Sequence, residues 1–143
     1  MEALPAEGDT EADAEFAKLL TGTWERTEGH DLKSRIYLTG YSMGGFGTFH
    51  LLAQEPQLFA AGIPIAGGGN PSSAGSFKKV PVWVFHGATD PIVPVDLSRS
   101  MVEALKKERA DPKYTEFPDG NHGIANQVYA DQAVHEWLFE QTR

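Results

Sequence analysis

Cysteine is absent from the 143 residues, which excludes disulfide scaffolds, thiolate metal sites and cysteine nucleophiles and leaves the redox state of the compartment open. Positive charge is scarce too: 12 Lys and Arg stand against 20 Asp and Glu, a formal net charge of −8. That balance argues against a nucleic-acid backbone or an anionic membrane as partner. No apolar run approaches the roughly 20 residues needed to span a bilayer. The opening MEALPAEGDTEADAE is acidic and has no apolar leader segment, so a chain complete as it stands would be cytoplasmic. No two histidines have the spacing or carboxylate company of a metal site, and neither a metal nor a cofactor is expected.

A chain of this length can bury roughly 70% of its unfolded surface, enough for one core. Residues 1–12 are polar, with Pro5 and Gly8, and are expected to form a mobile acidic arm. Residues 13–143 are expected to form a single domain. Phe16, Leu19, Leu20 and Trp24 fall at helical spacing over 13–25. Strands are predicted over 35–39, 60–66, 80–86 and 114–117, with Pro64 weakening the second because it cannot donate to a ladder. Helices are predicted over 43–54, 94–109 and 126–141. This alternation implies an α/β fold, an open and mostly parallel sheet of about four strands flanked by helices. Ligands of such sheets sit beyond the carboxyl ends of the strands, which directs attention to three loops.

The first loop holds Gly40-Tyr41-Ser42-Met43-Gly44 between a strand and a helix. A G-x-S-x-G turn in that setting strains the serine and lifts its hydroxyl above the sheet, and the Met43 N–H at the helix start becomes an oxyanion donor. A glycine turn that merely packs helix on sheet is the plainer reading. The second loop, Gly87-Ala88-Thr89-Asp90-Pro91, delivers Asp90 as an orienting carboxylate; alternatively Asp90 caps the helix near Pro94. The third, Pro118-Asp119-Gly120-Asn121-His122-Gly123, delivers His122 as general base and then general acid. The chain order Ser42, Asp90, His122, each after a different strand, favours joint action over three unrelated roles. Asp119 is a rival orienter, poorly placed on the same tight loop as His122. His86 is expected to pack or hydrogen-bond beneath the site, and His30, His50 and His135 to have surface or helix-packing roles.

The segments RIYLTGYSMGGFGTFHLLAQEPQLFAAGIPIAGGGNP, VPVWVFHGATDPIVPVDLSRSMVEAL and YTEFPDGNHG resemble the α/β-hydrolase superfamily. They are most similar to its esterase and predicted peptidase or phospholipase branch, related to feruloyl esterases and polyhydroxyalkanoate depolymerases. The resemblance spans roughly residues 12–143 and implies a reduced α/β-hydrolase fold, with Ser42, Asp90 and His122 as nucleophile, acid and base. The leading reading is a serine hydrolase that cleaves carboxylic esters through an acyl-enzyme, with small acyl or aryl groups expected because little chain is left to build a deep acyl pocket. A serine peptidase with the same residues, and a folded fragment or interaction module with weak catalysis, are the alternatives. Family members carry further strands and an HGG-like donor loop ahead of the nucleophile, and this sequence has neither. Residues 67–69, a triple glycine, follow the second strand and do not substitute. The chain therefore reads as a minimal or truncated, carboxyl-terminal half of the fold. Loss of one oxyanion donor costs about 2.7–4 kcal/mol in enzymes where it has been removed, so low activity is expected. The first strand should be an open sheet edge that carries Ile36 and Leu38 into solvent and pairs two copies in a homodimer, or is covered in part by the helix bearing Phe16, Leu19 and Trp24.

Overall fold

The computed structural model describes residues 34–143. The predicted arm over 1–12, the predicted helix over 13–25 and His30 lie outside the described residues. Four strands, β1 (Tyr37–Tyr41), β2 (Ala61–Ile65), β3 (Trp83–Gly87) and β4 (Lys113–Phe117), pair in parallel in chain order. Parallel strands need crossover connections. These are supplied by α1 (Met43–Gln54) between β1 and β2 and by α2 (Val95–Lys107) between β3 and β4. The link from β2 to β3 carries a 3₁₀ segment, Pro71–Phe77, where the sequence suggests only a loop.

The central strands β2 and β3 are buried at every position, as strands covered on both faces must be. Alternation along β3 divides the core. Val84 joins Phe49 and Leu52 of α1 and Met101 and Leu105 of α2 on one face. Trp83 and Phe85 turn to the other face, against Val128 and Val134. Those two residues belong to α3 (Ala125–Ala130) and α4 (Gln132–Glu140), where one helix over 126–141 is predicted. The break falls at Asp131, whose carboxylate accepts the Ala133 N–H at 2.9 Å and caps α4.

Pro64 lies within β2 and leaves its mark on the pairing. The Gly62 and Ala66 amides donate to Pro81 and Phe85 of the neighbouring segment, so alternation aims position 64 the same way. Proline has no N–H to offer, and the two strands bridge at Gly62 with Val82 and at Ile65 with Phe85.

β1 is the edge of the described sheet. It starts and ends two residues later than predicted, because Gly40 and Tyr41 remain in register with Pro64 and Ile65. The expectation that Ile36 is carried into solvent is wrong: Ile36 is buried in the core and Leu38 packs against it, half-buried. An edge strand exposes backbone groups along its rim, whereas its side chains still point to the two faces, and helices cover those. Among the described residues no helix is long and apolar enough to cross a membrane.

Candidate active site

Ser42 stands between β1 and α1 with φ 58° and ψ −113°, a conformation costly for a residue with a Cβ. Its own N–H donates to the Ile65 carbonyl at 2.9 Å, which ties the turn to the end of β2. The chain can bend this sharply because position 40 is glycine: a Cβ there would collide with the Gly44 backbone. Residues 67–69 have a packing task of the same kind, since a Cβ on Gly67 would meet the Gly45 backbone at 2.6 Å. Met43 and Gly44 open α1, where N–H groups find no carbonyl within the helix.

The other two loops converge on this turn. Thr89 donates its N–H and its hydroxyl to the Gly120 carbonyl at 3.0 and 2.8 Å, and the Ala88 N–H donates to Phe117 at 2.9 Å. The loop bearing Asp90 is thereby stitched to the loop bearing His122. His122 Nε2 lies 2.9 Å from Ser42 Oγ, and its Nδ1 lies 2.8 Å from Asp90 Oδ2. The other carboxylate oxygen, Oδ1, accepts the N–H groups of Ile92 and Val93 at 2.8 and 2.9 Å. Asp90 thus serves its own turn and faces the imidazole at once. It does not cap α2, whose N-terminal flank is Pro94 without a side-chain bond.

Burial pushes the Asp90 carboxyl up, but the hydrogen bonds from His122, Val93 and Ile92 outweigh it and hold the group below the usual carboxylate range. Asp90 is therefore an anion at neutral pH and can only accept. It fixes the Nδ1–H tautomer of His122 and leaves Nε2 free to take the serine proton. Tyr41, the variable residue ahead of Ser42, donates its hydroxyl to the His122 carbonyl at 2.6 Å and sets its ring 5.1 Å from the imidazole. Burial, and then the negative charge of Asp90, raise the Tyr41 phenol, which keeps it a neutral donor. Sequence reasoning missed this contact, and no local signal could have revealed a bond between residues 81 apart. Asp119 is exposed and has no side-chain partner among the bonds described. His50 lies in α1, and His135 on α4 is exposed. No cluster of three possible metal ligands occurs among the described residues.

A second carboxylate shows the same electrostatics at the surface. Glu116 accepts both arms of Arg99 at 2.8 Å and the Tyr114 hydroxyl at 2.6 Å, and these bonds, Arg99 first, lower its carboxyl to about 2. A carboxyl depressed on folding stabilises above its unfolded pKa, roughly 4.3 for Glu, and the contribution disappears as pH falls through the folded value. Glu116→Gln should destabilise the protein at pH 7, and its deficit in urea melts should vanish as the pH approaches about 2.

Residues 4–138 match the dienelactone hydrolase family. The chain belongs to that family. A curated relative, the bifunctional acetylxylan esterase/xylanase XynS20E of Neocallimastix patriciarum, is 32% identical over 77 residues, 54% of this chain and 11% of its own length. A thermostable esterase structure is 37% identical with a TM-score of 0.79, covering 91% of this chain and 36% of that one. Dipeptidyl peptidase 4 of Porphyromonas gingivalis reaches the same TM-score of 0.79 at 17% identity, over 93% of this chain and 23% of its own. That likeness shows the shared α/β-hydrolase fold alone. This family member thus spans well under half the length of each of these three proteins.

Proposed function

We propose that this member of the dienelactone hydrolase family is a serine hydrolase that cleaves carboxylic esters with short acyl or aryl groups through an acyl-enzyme. The observation that carries this reading is the unbroken chain of contacts from Ser42 Oγ to His122 at 2.9 Å and from His122 to Asp90 at 2.8 Å. In the first step Ser42 Oγ attacks the ester carbonyl while His122 Nε2 takes its proton, and the oxyanion forms near the Met43 N–H. His122 then returns the proton to the departing alkoxide, and the Ser42 acyl ester remains. Water, deprotonated by His122, repeats the attack and releases the acid. The imidazole must be neutral to act as base.

The relatives above 30% identity carry the name esterase, which supports an ester over a peptide bond, whereas the peptidase likeness is one of fold. Exposed Met43, beside the serine, offers an apolar contact to a small acyl or aryl group. The test is turnover of nitrophenyl acetate and butyrate beside long-chain nitrophenyl esters and an aminoacyl anilide. Short esters should be preferred, and anilide cleavage with silent esters would refute the ester reading. Tyr41→Phe should lower kcat up to about fivefold, the worth of one hydrogen bond near 1 kcal/mol, and lower the melting temperature by roughly 3–5 °C.

A further inference from the structure

Resting on the serine-hydrolase reading, a buried histidine outside the three proposed reacting groups has a defined task. His86 near the end of β3 is fully buried. On the same face as Val84, it reaches toward α2, where its Nδ1 lies 2.7 Å from Ser98 Oγ. Ser98 Oγ also lies 2.9 Å from the Gly67 carbonyl, so its one proton can turn to that oxygen or to Nδ1. The other ring nitrogen, Nε2, faces two groups: the Val93 carbonyl at 2.9 Å and Asp90 Oδ2 at 3.3 Å. A carbonyl and an ionised carboxylate can only accept. Nε2 therefore carries a proton whichever way the Ser98 hydroxyl turns.

We infer that His86 is a positioning residue for Asp90: its Nε2–H clamps the 90–93 turn through the Val93 carbonyl and presents a partial positive charge to the oxygen that orients His122. The turn closes on itself, because the Val93 N–H donates to Asp90 Oδ1 at 2.9 Å while its carbonyl receives from His86. Oδ2 sits between two imidazoles, His122 at 2.8 Å and His86 at 3.3 Å, so the carboxylate cannot rotate without losing a favourable partner. The other charged group facing His86 is Glu116 of β4, its register partner, and Arg99 and Tyr114 already occupy that carboxylate.

Two amide substitutions separate positioning from packing. The side-chain nitrogen of glutamine can stand where Nε2 stands, and that of asparagine where Nδ1 stands. Both variants disturb the same buried pocket. Histidine-labelled protein should show a low-field Nδ1–H resonance of His122, assigned by its loss in His122→Ala. The signal should persist in His86→Gln and be lost in His86→Asn. Nitrophenyl acetate turnover should follow it, with kcat near wild type for glutamine and down on the order of 10²-fold for asparagine at little change in KM, the scale of a misplaced catalytic group. Should His86→Asn not fold, the glutamine variant alone must keep both signal and kcat. The inference is overturned if asparagine keeps the resonance, if glutamine loses it, or if both variants behave alike. A wild-type protein that shows the resonance and has no ester turnover would sink the hydrolase reading, and the clamp would still be read from the resonance.

Discussion

Ser42→Ala should reduce ester hydrolysis to the uncatalysed rate while leaving the fold intact. Deleting a serine nucleophile costs on the order of 10⁶ in kcat where a base and an oxyanion site remain. With one oxyanion donor proposed among the described residues the starting activity is expected to be low, so the loss should be complete in practice. The fold should survive because Ser42 Oγ is bonded to His122 and to no structural group among the described contacts. Ser42→Gly adds a second readout. At φ 58° glycine is at ease where serine is strained, by about 1 kcal/mol or more. The glycine variant should be as inactive as the alanine one and melt at a higher temperature. Wild-type turnover in either variant would place the chemistry elsewhere.

Asp90→Asn should lower kcat on the order of 10⁴-fold with KM nearly unchanged, the scale seen when a triad carboxylate becomes an amide. The reason lies in which atoms can donate. The asparagine oxygen can still accept the Ile92 and Val93 amides that now bind Oδ1. Its NH₂ then occupies the place of Oδ2 and turns donors toward His122 Nδ1. The imidazole must answer with a bare Nδ1, so its proton moves to Nε2, which faces Ser42 and can no longer accept from it. The turn remains closed and the base is disabled. Asp119→Asn, by contrast, should retain wild-type kcat because that carboxylate is exposed and bonded to neither histidine. A drop of less than tenfold for Asp90→Asn, or a large one for Asp119→Asn, would reverse their roles.

Much of the sheet could be read in advance because its signals are local. The apolar run ending at His86 and the strand-to-helix glycines around Ser42 mark where chain direction changes. Once parallel order is assumed, the ends of β1, β3 and β4 must share one edge of the sheet. That is why three residues spread over 81 positions could be expected at one site. Contacts that depend on how loops settle against each other were not legible. The Tyr41 hydroxyl on the His122 carbonyl, the stitching of Thr89 to Gly120 and the two-sided setting of His86 arise only after the strands have paired. The break in the last helix is a different case. Asp131 is a good N-cap residue in mid-pattern, but the apolar spacing continues on both sides of it and hides the break. Ile36 is buried because a strand edge exposes backbone groups and not a strand face.

The most direct test is covalent. A fluorophosphonate reacts with a serine only when that serine is made nucleophilic by its base, and its adduct can be located by intact mass and peptide mapping without knowledge of the natural substrate. One adduct per chain, on Ser42, abolished in Ser42→Ala and strongly slowed in His122→Ala, is the expected result. No adduct on folded protein, or labelling of Ser42 that is indifferent to His122, would contradict nucleophilic catalysis at this site.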